Sequence, residues 1–531
     1  MVQEHEKKFL EFLSLSSSYD YDPEFVEVVQ THISIVAIAP PYVFKIKKNI
    51  KLDFLDYSSL EKRKFYLEKE IELNRRLCGN VYIEIVPIYE FEGLLSFEKF
   101  FHGSGRIYDY ALKMNYLKPE FCLVNILKNN SLSDQHMEFL IEKLGKFYFS
   151  QKPTKKCLEI IRDANPDAVL KMFQTNLNEL KKVANAILPA HTLDVLENFL
   201  ELFFKRHIHE LKNRYSPEFI KDGHGDLRLE HIYIQDKNIS IYDCIEFNDS
   251  FRHIDILNDI AFLLMELDFN HYNIISLKFR DKFLRYFKSY NEESVLAFYK
   301  IHRALVRAKV NCIVSKEDEI PHEKRKLAVK NAEKFLSLAV KYSLTLDRPT
   351  IFIVMGKTAS GKSTVAKKIS HDSGLQILST DVIRKNLAKV DLHTETPDEL
   401  KSKIYSPEFT ETVYNEILSS AEKMLQENNG IILDATFSKK KYRRLVLEKF
   451  SKIQTFFIEV NSSETEKIKR LKHRQQTGSI SDARITDKQK IDDLYEVPDE
   501  IPESMKIILN NSTEIDNVIN QLYNSIYTLI N

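Results

Sequence analysis

The sequence predicts an α+β domain followed by an α/β domain with a doubly wound parallel sheet. Three patterns indicate this order. Strand-like runs flank one charged helix before residue 116, helical spacing fills most of 131–344, and short apolar runs alternate with helices after residue 350. We therefore expect domains at 1–344 and 351–531, joined by a linker at 345–350. The first domain divides into a small lobe at about 1–115 and a large helical lobe at about 116–344.

The composition is that of a folded chain without a strongly charged arm. Of 531 residues, 43% are hydrophobic and 29% are charged, and 77 Lys and Arg balance 77 Asp and Glu. This balance argues against a basic nucleic-acid arm or an acidic tail. The five cysteines lack a CxxC spacing, which argues against a disulfide framework or a zinc site. Because no signal-peptide core or membrane-length apolar run is present, we expect a cytoplasmic protein that does not bind a membrane.

The front of the chain has the order hairpin, helix, hairpin. Residues 25–51 predict an antiparallel hairpin, with one strand run before the Pro40-Pro41 turn and a second run after it, and 82–95 returns to strand character. Between them, 58–77 predicts a charged helix with Ser58 or Ser59 as its N-cap. This order resembles the small lobe of a protein kinase.

A nucleotide site in such a lobe needs two charged side chains. A lysine on the third strand holds the α- and β-phosphates, and a helical glutamate holds the lysine. Lys45 and Lys47 lie on the same strand face and both qualify, with Lys45 preferred. Glu70 is the favoured glutamate, with Glu68 and Glu72 as alternatives. On these residues alone, a solvated charged helix over an edge strand is an equally good interpretation. The absence of a GxGxxG pattern over the phosphates further weakens the interpretation as a kinase lobe.

Residues 222–247 place two carboxylates in the order that phosphoryl transfer needs. A carboxylate on a tight loop accepts the proton of a substrate hydroxyl, and a second carboxylate on the next strand holds Mg²⁺ against the phosphates. Asp226 fits the first role and Asp243 the second, with Glu246 near the metal. Gly225 permits the sharp loop before Asp226.

From these residues, the front of the chain resembles the aminoglycoside phosphotransferase and kinase-like superfamily. The motif is His224-Gly225-Asp226 followed by Asp243. The longer pattern adds Arg252-x-x-Asp255, the run from Asp259 and the run from Arg303 to Lys309. It is similar to that of bacterial two-domain proteins in which such a domain is fused to a P-loop ATP-binding domain. The resemblance covers nearly the whole chain. It implies a kinase-like fold, ATP and Mg²⁺ as cofactors, Asp226 as the catalytic base, Asp243 as a Mg²⁺ ligand and Asp259 as a brace for the catalytic loop.

One residue departs from the pattern of this superfamily. The usual phosphotransferase has a metal-binding Asn five residues after the catalytic Asp, whereas this chain has His231. Imidazole is a poor ligand for Mg²⁺, which prefers oxygen. Three interpretations follow: Glu246 replaces the missing ligand, the front site binds nucleotide weakly, or the front domain is a pseudokinase.

The chain after residue 350 carries a complete phosphate-binding pattern. The apolar run 351–355 ends in Gly356-x-x-x-x-Gly361-Lys362-Ser363, and a helix follows. The loop N–H groups and the start of the helix attract phosphate, Lys362 reaches the β- and γ-phosphates, and the Ser363 hydroxyl binds Mg²⁺. The predicted nucleotide contacts are Gly356, Lys357, Thr358, Ala359, Ser360, Gly361, Lys362, Ser363 and Thr364. The sequence thus predicts binding of a nucleoside triphosphate.

Further candidates follow the later strands of this domain, at 376–379 and 430–433. Ligands bind at the carboxyl ends of parallel strands. Asp381 is the expected general base for an acceptor hydroxyl, and Arg384 lies one helical turn further, within reach of phosphate. Asp434 is the expected second Mg²⁺ ligand.

A basic segment at 467–484 predicts a lid over the bound phosphates. Arg470 and Arg474 lie four residues apart on one helix face, where they can clamp the transferred phosphoryl group. The alternative is an ordinary solvated basic face.

These motifs together resemble gluconate-kinase-like enzymes, polynucleotide 5′-hydroxyl kinases and zeta toxins. The resemblance implies an ATP-dependent phosphotransferase that transfers the γ-phosphoryl group to an unidentified hydroxyl acceptor. The front domain is then a second phosphotransferase, or an acceptor-binding or regulatory domain. Two alternatives are a polynucleotide 5′-hydroxyl kinase, supported by the basic run Lys439 to Arg444, and a nucleotide-binding regulatory or toxin–antitoxin-like module without small-molecule turnover. Because such a basic run is more often a solvated helix face, nucleic acid is a possible partner but not the favoured one.

Overall fold

The computed structural model describes residues 2–52, 55–98, 105–163, 166–288, 292–318, 320–392, 394, 396–477 and 492–530. Contacts within the chain separate two compact units. Unit 1 comprises Met1–Asp163, Arg214–Glu266 and Lys278–Tyr290, and unit 2 comprises Ala164–Asn213, Leu267–Leu277 and Asn291–Asn531. Helices that precede residue 345 thus share a unit with the chain that follows it, and the domain boundary predicted at 345–350 stays a prediction.

The strands, in chain order, belong to one antiparallel sheet, one parallel sheet and three two-stranded ladders. They are β1 Glu27–Gln30, β2 Ser34–Ala39, β3 Tyr42–Lys47, β4 Lys51–Leu52, β5 Leu55–Asp56, β6 Tyr82–Phe91, β7 Leu94–Ser96, β8 Arg106–Asn115, β9 Ile220–Asp222, β10 Ile232–Gln235, β11 Asn238–Ile241, β12 His253–Asp255, β13 Thr350–Met355, β14 Gln376–Ser379, β15 Gly430–Asp434, β16 Gln454–Asn461 and β17 Lys506–Asn510.

The helices alternate with the strands or follow one another along the chain. They are α1 Val2–Ser14, α2 Leu60–Cys78, α3 Leu123–Lys128, α4 Asp134–Ser150, α5 Lys155–Asp163, α6 Pro166–Val183, α7 Ala190–Arg214, α8 Asp249–Arg252, α9 Ile256–Phe269, α10 Asn273–Tyr286, α11 Glu293–Val314, α12 His322–Thr345, α13 Lys362–Ser373, α14 Thr380–Leu387, α15 Asp398–Ile404, α16 Pro407–Glu427, α17 Lys440–Lys449, α18 Glu464–Thr477 and α19 Ile515–Ile530. No helix in the described part of the chain has the length and hydropathy needed to cross a bilayer.

Unit 1 is organised around a six-stranded antiparallel sheet in the order β1-β2-β3-β8-β6-β7. The charged helix α2 packs on this sheet. It begins after Ser59, whose Oγ accepts a hydrogen bond from Lys62 N, as expected for an N-cap. The hairpin, helix and hairpin predicted for the small lobe are therefore present.

The first strand run of unit 1 differs from the prediction. Residues 25–39 form two strands, β1 and β2. Strand β1 pairs with β2, and β2 also pairs with β3. A turn at Thr31 separates them: Thr31 N donates to Ser34 O at 2.9 Å, and Ser34 N donates to Thr31 Oγ1 at 2.9 Å. A threonine hydroxyl that captures a nearby backbone N–H favours a turn over a continuous strand.

Unit 2 contains a five-stranded parallel sheet in the order β14-β15-β13-β16-β17. All six residues of the central strand β13 are buried, as a parallel strand covered on both faces requires. From β13 the chain passes to the edge strand β14, returns to β15 beside β13, and then crosses to β16 and β17 on the other side. Strands added on both sides of a central strand are the arrangement of a doubly wound fold. The fold class predicted for this part of the chain is confirmed.

The connection from α12 to β13 lies inside unit 2, and its first two residues, Leu346 and Asp347, are buried. Leu346 and Asp347 follow the helix, and both have a positive φ. Lys300 Nζ lies 2.6 Å from Asp268 Oδ2 and 2.7 Å from Asp347 Oδ2. A buried ammonium between two carboxylates holds this connection in one conformation, since breaking such a pair leaves an uncompensated charge.

Candidate functional site

Two lysines of β3 share one buried glutamate of α2. Because side chains of a strand alternate, Lys45 and Lys47 point to the same face. Lys45 Nζ lies 2.8 Å from Glu70 Oε1, and Lys47 Nζ lies 2.7 Å from Glu70 Oε2. Lys45 Nζ also lies 2.7 Å from Asp243 Oδ1. The favoured pair Lys45–Glu70 is thus present, and a merely solvated α2 does not describe the fully buried Glu70.

The charges of this cluster stabilise one another. Burial alone would lower the pKa of Lys45, but the carboxylates of Asp243, Glu70 and Glu246 outweigh it and hold that pKa well above its usual value. Burial alone would raise the pKa of Asp243, but the Lys45 ammonium beside it holds that pKa well below the usual range. Lys45 and Lys47 likewise lower the pKa of Glu70 against the effect of its burial. At neutral pH all three groups are therefore charged.

Glu246 joins the same cluster through Lys47, on its buried side. Its Oε1 accepts hydrogen bonds from Lys47 Nζ and from Tyr57 OH. Burial and the nearby Glu246 carboxylate raise the pKa of Tyr57, so that the phenol stays a donor. An oxygen that receives both a cation and a phenol is poorly placed to replace a missing metal ligand, although the role predicted for Glu246 near the metal stays a prediction.

The loop that carries Asp226 is braced by Asp259, as the resemblance implied. Asp259 Oδ2 accepts a hydrogen bond from His224 N at 2.7 Å and from Tyr148 OH at 2.8 Å. Its Oδ1 accepts from Gly225 N at 2.9 Å. Three donors on one carboxylate fix both backbone N–H groups that precede Asp226.

His224 and Gly225 set the direction of the same loop. Burial lowers the pKa of His224, which keeps the ring neutral. Its Nε2 donates to Tyr242 O at 2.9 Å, and its Nδ1 accepts from Asp226 N at 3.3 Å. Gly225 has a φ of +85°, and a Cβ there would lie 2.8 Å from Phe251 O. Both the conformation and the space require glycine.

His231 follows Asp226 by five residues, and its ring lies between Asp226 and Asp243. His231 Nδ1 lies 2.9 Å from Asp226 O, to which it donates. Its Nε2 lies 3.6 Å from Asp243 Oδ2 and 3.7 Å from Glu230 Oε1. The structure therefore brings together Asp226, His231 and Asp243, as the sequence pattern predicted.

The phosphate-binding pattern of unit 2 forms a tight loop between β13 and α13. Gly356 has a φ of +137° and Gly361 a φ of +100°. A Cβ on Gly356 would lie 2.5 Å from Val460 O, and a Cβ on Gly361 would lie 2.0 Å from Asn511 Nδ2. Only glycine satisfies both positions, and the loop N–H groups at the start of α13 are the kind that attract phosphate.

Several side chains hold this loop. Lys362 Nζ donates to Lys357 O at 2.8 Å. Arg470 Nη1 donates to Ser360 O at 2.8 Å, and Asn511 Nδ2 donates to the same oxygen at 3.0 Å. Arg470 thus supports the loop backbone, and its predicted role as a clamp on the transferred phosphoryl group stays a prediction.

The sequence reasoning missed two residues at this loop. Asn511 directly follows β17, so the rule that ligand sites lie at the carboxyl ends of parallel strands points to it. Asp492 Oδ1 accepts a hydrogen bond from Thr358 N at 3.1 Å. No sequence pattern marks Asp492, which follows a segment outside the described residues.

The carboxyl ends of three neighbouring strands align at the same edge of the sheet. Ser379 of β14 pairs with Asp434 of β15, and Asp434 pairs with Val354 of β13. Asp434 is buried, and Asp381 lies in the first turn of α14. The two predicted carboxylates therefore follow the strands that flank the loop, although their contacts with a nucleotide stay predictions.

The side chain of Arg384 contacts two neighbouring helices. Arg384 Nη1 donates to Ile404 O and, at 3.2 Å, to Thr410 Oγ1, and its guanidinium stacks over the Tyr405 ring at 4.5 Å. This places Arg384 against α15 and α16, and its predicted reach to phosphate is untested.

Arg474 lies in α18, but its side chain is outside the described residues, as is the lid segment 478–491.

The expected magnesium ligands fit that ion in unit 2 better than in unit 1. Ser363 and Asp434 offer a hydroxyl and a carboxylate, which are oxygen donors of the kind that Mg²⁺ prefers. In unit 1, Asp243 supplies oxygen but His231 supplies nitrogen. No cluster of three or more His, Cys, Asp or Glu that could hold a metal by itself occurs in the part of the chain that the structure describes.

Comparison with known proteins supports the P-loop assignment. Residues 351–498 match the family model described as an AAA domain. The chain is 27% identical over 445 residues to uncharacterized proteins of Mycobacterium bovis and Mycobacterium tuberculosis, covering 82% of this chain and 84% of each relative. The expectation of a P-loop domain in the last part of the chain is confirmed.

Solved structures of two kinds are also similar. A gluconokinase from Sinorhizobium meliloti 1021 matches at 18% identity and a TM-score of 0.25, covering 34% of this chain and 93% of that chain. The complex of APH(2")-IIia with GDP and kanamycin matches at 14% and 0.39, covering 61% and 98%. A choline/ethanolamine kinase family protein from Mesorhizobium loti matches at 13% and 0.34, covering 63% and 95%. At these values the likenesses support no conclusion about activity or acceptor.

Proposed function

We propose that this protein is an ATP-dependent phosphotransferase whose P-loop domain transfers the γ-phosphoryl group of ATP to a hydroxyl acceptor. The observation that carries the proposal is the alignment of a glycine-rich phosphate loop with Asp434 and Asp381 at one edge of a parallel sheet. A mechanical ATPase has no need of a carboxylate at the position of Asp381, whereas transfer to an alcohol needs a base there.

Each part of the edge has a distinct role in this proposal. The loop N–H groups and Lys362 bind and orient the β- and γ-phosphates. Ser363 and Asp434 are the residues that would hold Mg²⁺, which neutralises charge on the phosphates when it is bound. Asp381 accepts the proton of the acceptor hydroxyl as that oxygen attacks the γ-phosphorus.

The cluster of unit 1 supports a second nucleotide site. Lys45 reaches from Glu70 to Asp243, and Asp226 stands on a braced loop beside His231. In a kinase-like site these positions hold the phosphates, the metal and the acceptor hydroxyl. We infer that unit 1 binds nucleotide and acts as a second phosphotransferase or as a regulator of the first.

The structure offers little support for nucleic-acid binding by the basic run Lys439 to Arg444. Lys440 pairs with Asp499 at 2.5 Å and Lys441 pairs with Glu411 at 3.0 Å. Arg443 is completely buried and pairs with Glu500. Cations already neutralised by carboxylates release few counterions on binding a phosphate backbone, so a small-molecule acceptor stays the favoured proposal.

The base assignment is tested with Asp381→Asn. We expect phosphoryl transfer from ATP to pooled sugars, aminoglycosides and 5′-hydroxyl oligonucleotides to fall by about 10²–10⁴-fold in kcat, because a positioned base contributes about that much. ATP affinity should change little. The exposed Glu399→Gln is the matched control. Unchanged kcat in Asp381→Asn would refute Asp381 as the base.

A further inference from the structure

We propose that the site of unit 1 takes a divalent transition-metal ion in preference to Mg²⁺, bound by His231 Nε2 and Asp243 Oδ2. The inference rests on the proposed nucleotide site in unit 1, and it identifies the cation that this site selects. It follows from the donor atoms, their separation and the hydrogen bonds that fix them.

The tautomer of His231 is set by its neighbour. Nδ1 lies 2.9 Å from Asp226 O, and a carbonyl oxygen can only accept, so Nδ1 carries the proton. In the neutral ring the lone pair is therefore on Nε2. A backbone carbonyl on the second nitrogen is also the usual way in which proteins orient a metal-binding histidine.

The lone pair of Nε2 faces a second acceptor. Nε2 lies 3.6 Å from Asp243 Oδ2, and in this tautomer neither atom has a proton to donate to the other. Two atoms at this separation can both lie about 2.0–2.2 Å from one cation placed between them. Glu230 Oε1 lies 3.7 Å from Nε2, but Arg228 already holds that carboxylate at 2.5 Å.

The carboxylate of Asp243 is oriented for this role. Its Oδ1 is held by Lys45 Nζ at 2.7 Å, which leaves Oδ2 toward His231. The His231 side chain is 7% exposed, whereas that of Asp243 is 39% exposed. The site is thus closed behind the imidazole and open beside the carboxylate, where phosphate oxygens and water can complete the coordination shell.

The donor pair selects against Mg²⁺. Mg²⁺ takes oxygen ligands, whereas imidazole suits first-row transition metals, whose affinity for such ligands rises from Mn²⁺ toward Cu²⁺. Of the three interpretations of His231 left open by the sequence, replacement by Glu246 is the least favoured, because Lys47 and Tyr57 hold its Oε1. Binding of a transition-metal ion in place of Mg²⁺ accounts for the imidazole of His231, and the site then need not have lost its ability to bind a metal.

The test uses Mn²⁺ as the probe, because it is the weakest binder of the series and has a paramagnetic signal. The full chain carries Lys362→Ala to remove binding at the P-loop, and Mn²⁺ is added with a non-hydrolysable ATP analogue. We expect electron spin-echo modulation from one imidazole ¹⁴N, lost in His231→Asn but kept in the exposed control His32→Asn. His231→Asn should also shift the Mn²⁺-over-Mg²⁺ preference by at least about tenfold.

Two outcomes would overturn the inference. One is bound Mn²⁺ without ¹⁴N modulation, and the other is a His231→Asn chain that folds normally and keeps the same metal preference. If no nucleotide binds in the Lys362→Ala chain, the proposed second nucleotide site is refuted instead. Mn²⁺ added alone then decides the metal: ¹⁴N modulation lost in His231→Asn supports the inference, and its absence overturns it.

Discussion

Lys45 and Lys47 share Glu70, yet their surroundings give them different roles. The Lys45 side chain is 15% exposed and contacts Asp243, whereas that of Lys47 is 1% exposed and contacts Glu246 and Tyr57. Only Lys45 therefore reaches the open side of the site. Lys47 completes a buried cluster in which every charge has a partner.

This difference predicts distinct effects of two matched substitutions. Lys45→Met and Lys47→Met should each destabilise unit 1 by about 3–5 kcal/mol, because each leaves a buried carboxylate without one of its cations. Only Lys45→Met should also abolish nucleotide binding by unit 1, measured with a fluorescent ATP analogue in the Lys362→Ala chain. Equal loss of binding in both variants, at a temperature where both are folded, would show that Lys45 has no special role.

At the residue scale, the sequence predicted the pair Lys45–Glu70 but not that Glu70 also holds Lys47 or that Lys45 also contacts Asp243. Strand periodicity placed Lys45 and Lys47 on one face, and spacing could not choose between them because a single glutamate holds both. The contact of Asp492 with the phosphate-binding loop could not be predicted from a sequence pattern. Asp492 contacts Thr358 through the fold alone, since the two residues are far apart in the sequence.

At the element scale, helices α6 and α11 pack through a buried histidine. The His302 ring lies 4.3 Å from the Phe173 ring, centroid to centroid. Burial lowers the pKa of His302 to about 3, and the positive charges of Arg303 and Lys309 add to the effect. The folded protein therefore keeps this ring neutral where an unfolded chain would protonate it.

This histidine predicts a pH-dependent contribution to stability. Below the unfolded pKa of about 6.5, the unfolded chain binds a proton that the folded chain binds only near pH 3, so stability falls as pH falls through this window. Between pH 7.5 and 5.0 the loss from His302 should be about 2 kcal/mol. Urea unfolding should show a smaller loss in His302→Leu, but not in the exposed control His322→Leu. An equal loss in wild type and His302→Leu would contradict the assignment.

Elements with continuous apolar runs were the most predictable. Strands β13 and β15 are buried along their whole length, and they therefore appear in the sequence as unbroken apolar segments, at 351–355 and 431–433. The run 25–39 was predicted as one strand, because its apolar alternation continues on both sides of Thr31 and only the side-chain hydrogen bond of that residue marks the turn.

At the scale of the whole molecule, the sequence predicts two sites but not which helices belong to the unit that contains the second. Lys300 of α11 pairs with Asp268 and Asp347, and Phe199 of α7 lies 5.1 Å from Tyr527 of α19, centroid to centroid. These contacts join residues distant in sequence within unit 2. Motif spacing carries no information about such pairs, since they depend on the packing of whole helices.

In the proposed function, the P-loop domain performs the phosphoryl transfer. This assignment is tested most directly by following labelled phosphate from ATP to pooled sugars, aminoglycosides and 5′-hydroxyl oligonucleotides in wild type, Lys362→Ala and Asp226→Ala. We expect Lys362→Ala to abolish transfer to the acceptor of the P-loop domain and Asp226→Ala to retain it. Loss of transfer in Asp226→Ala alone would contradict the assignment and make unit 1 the phosphotransferase.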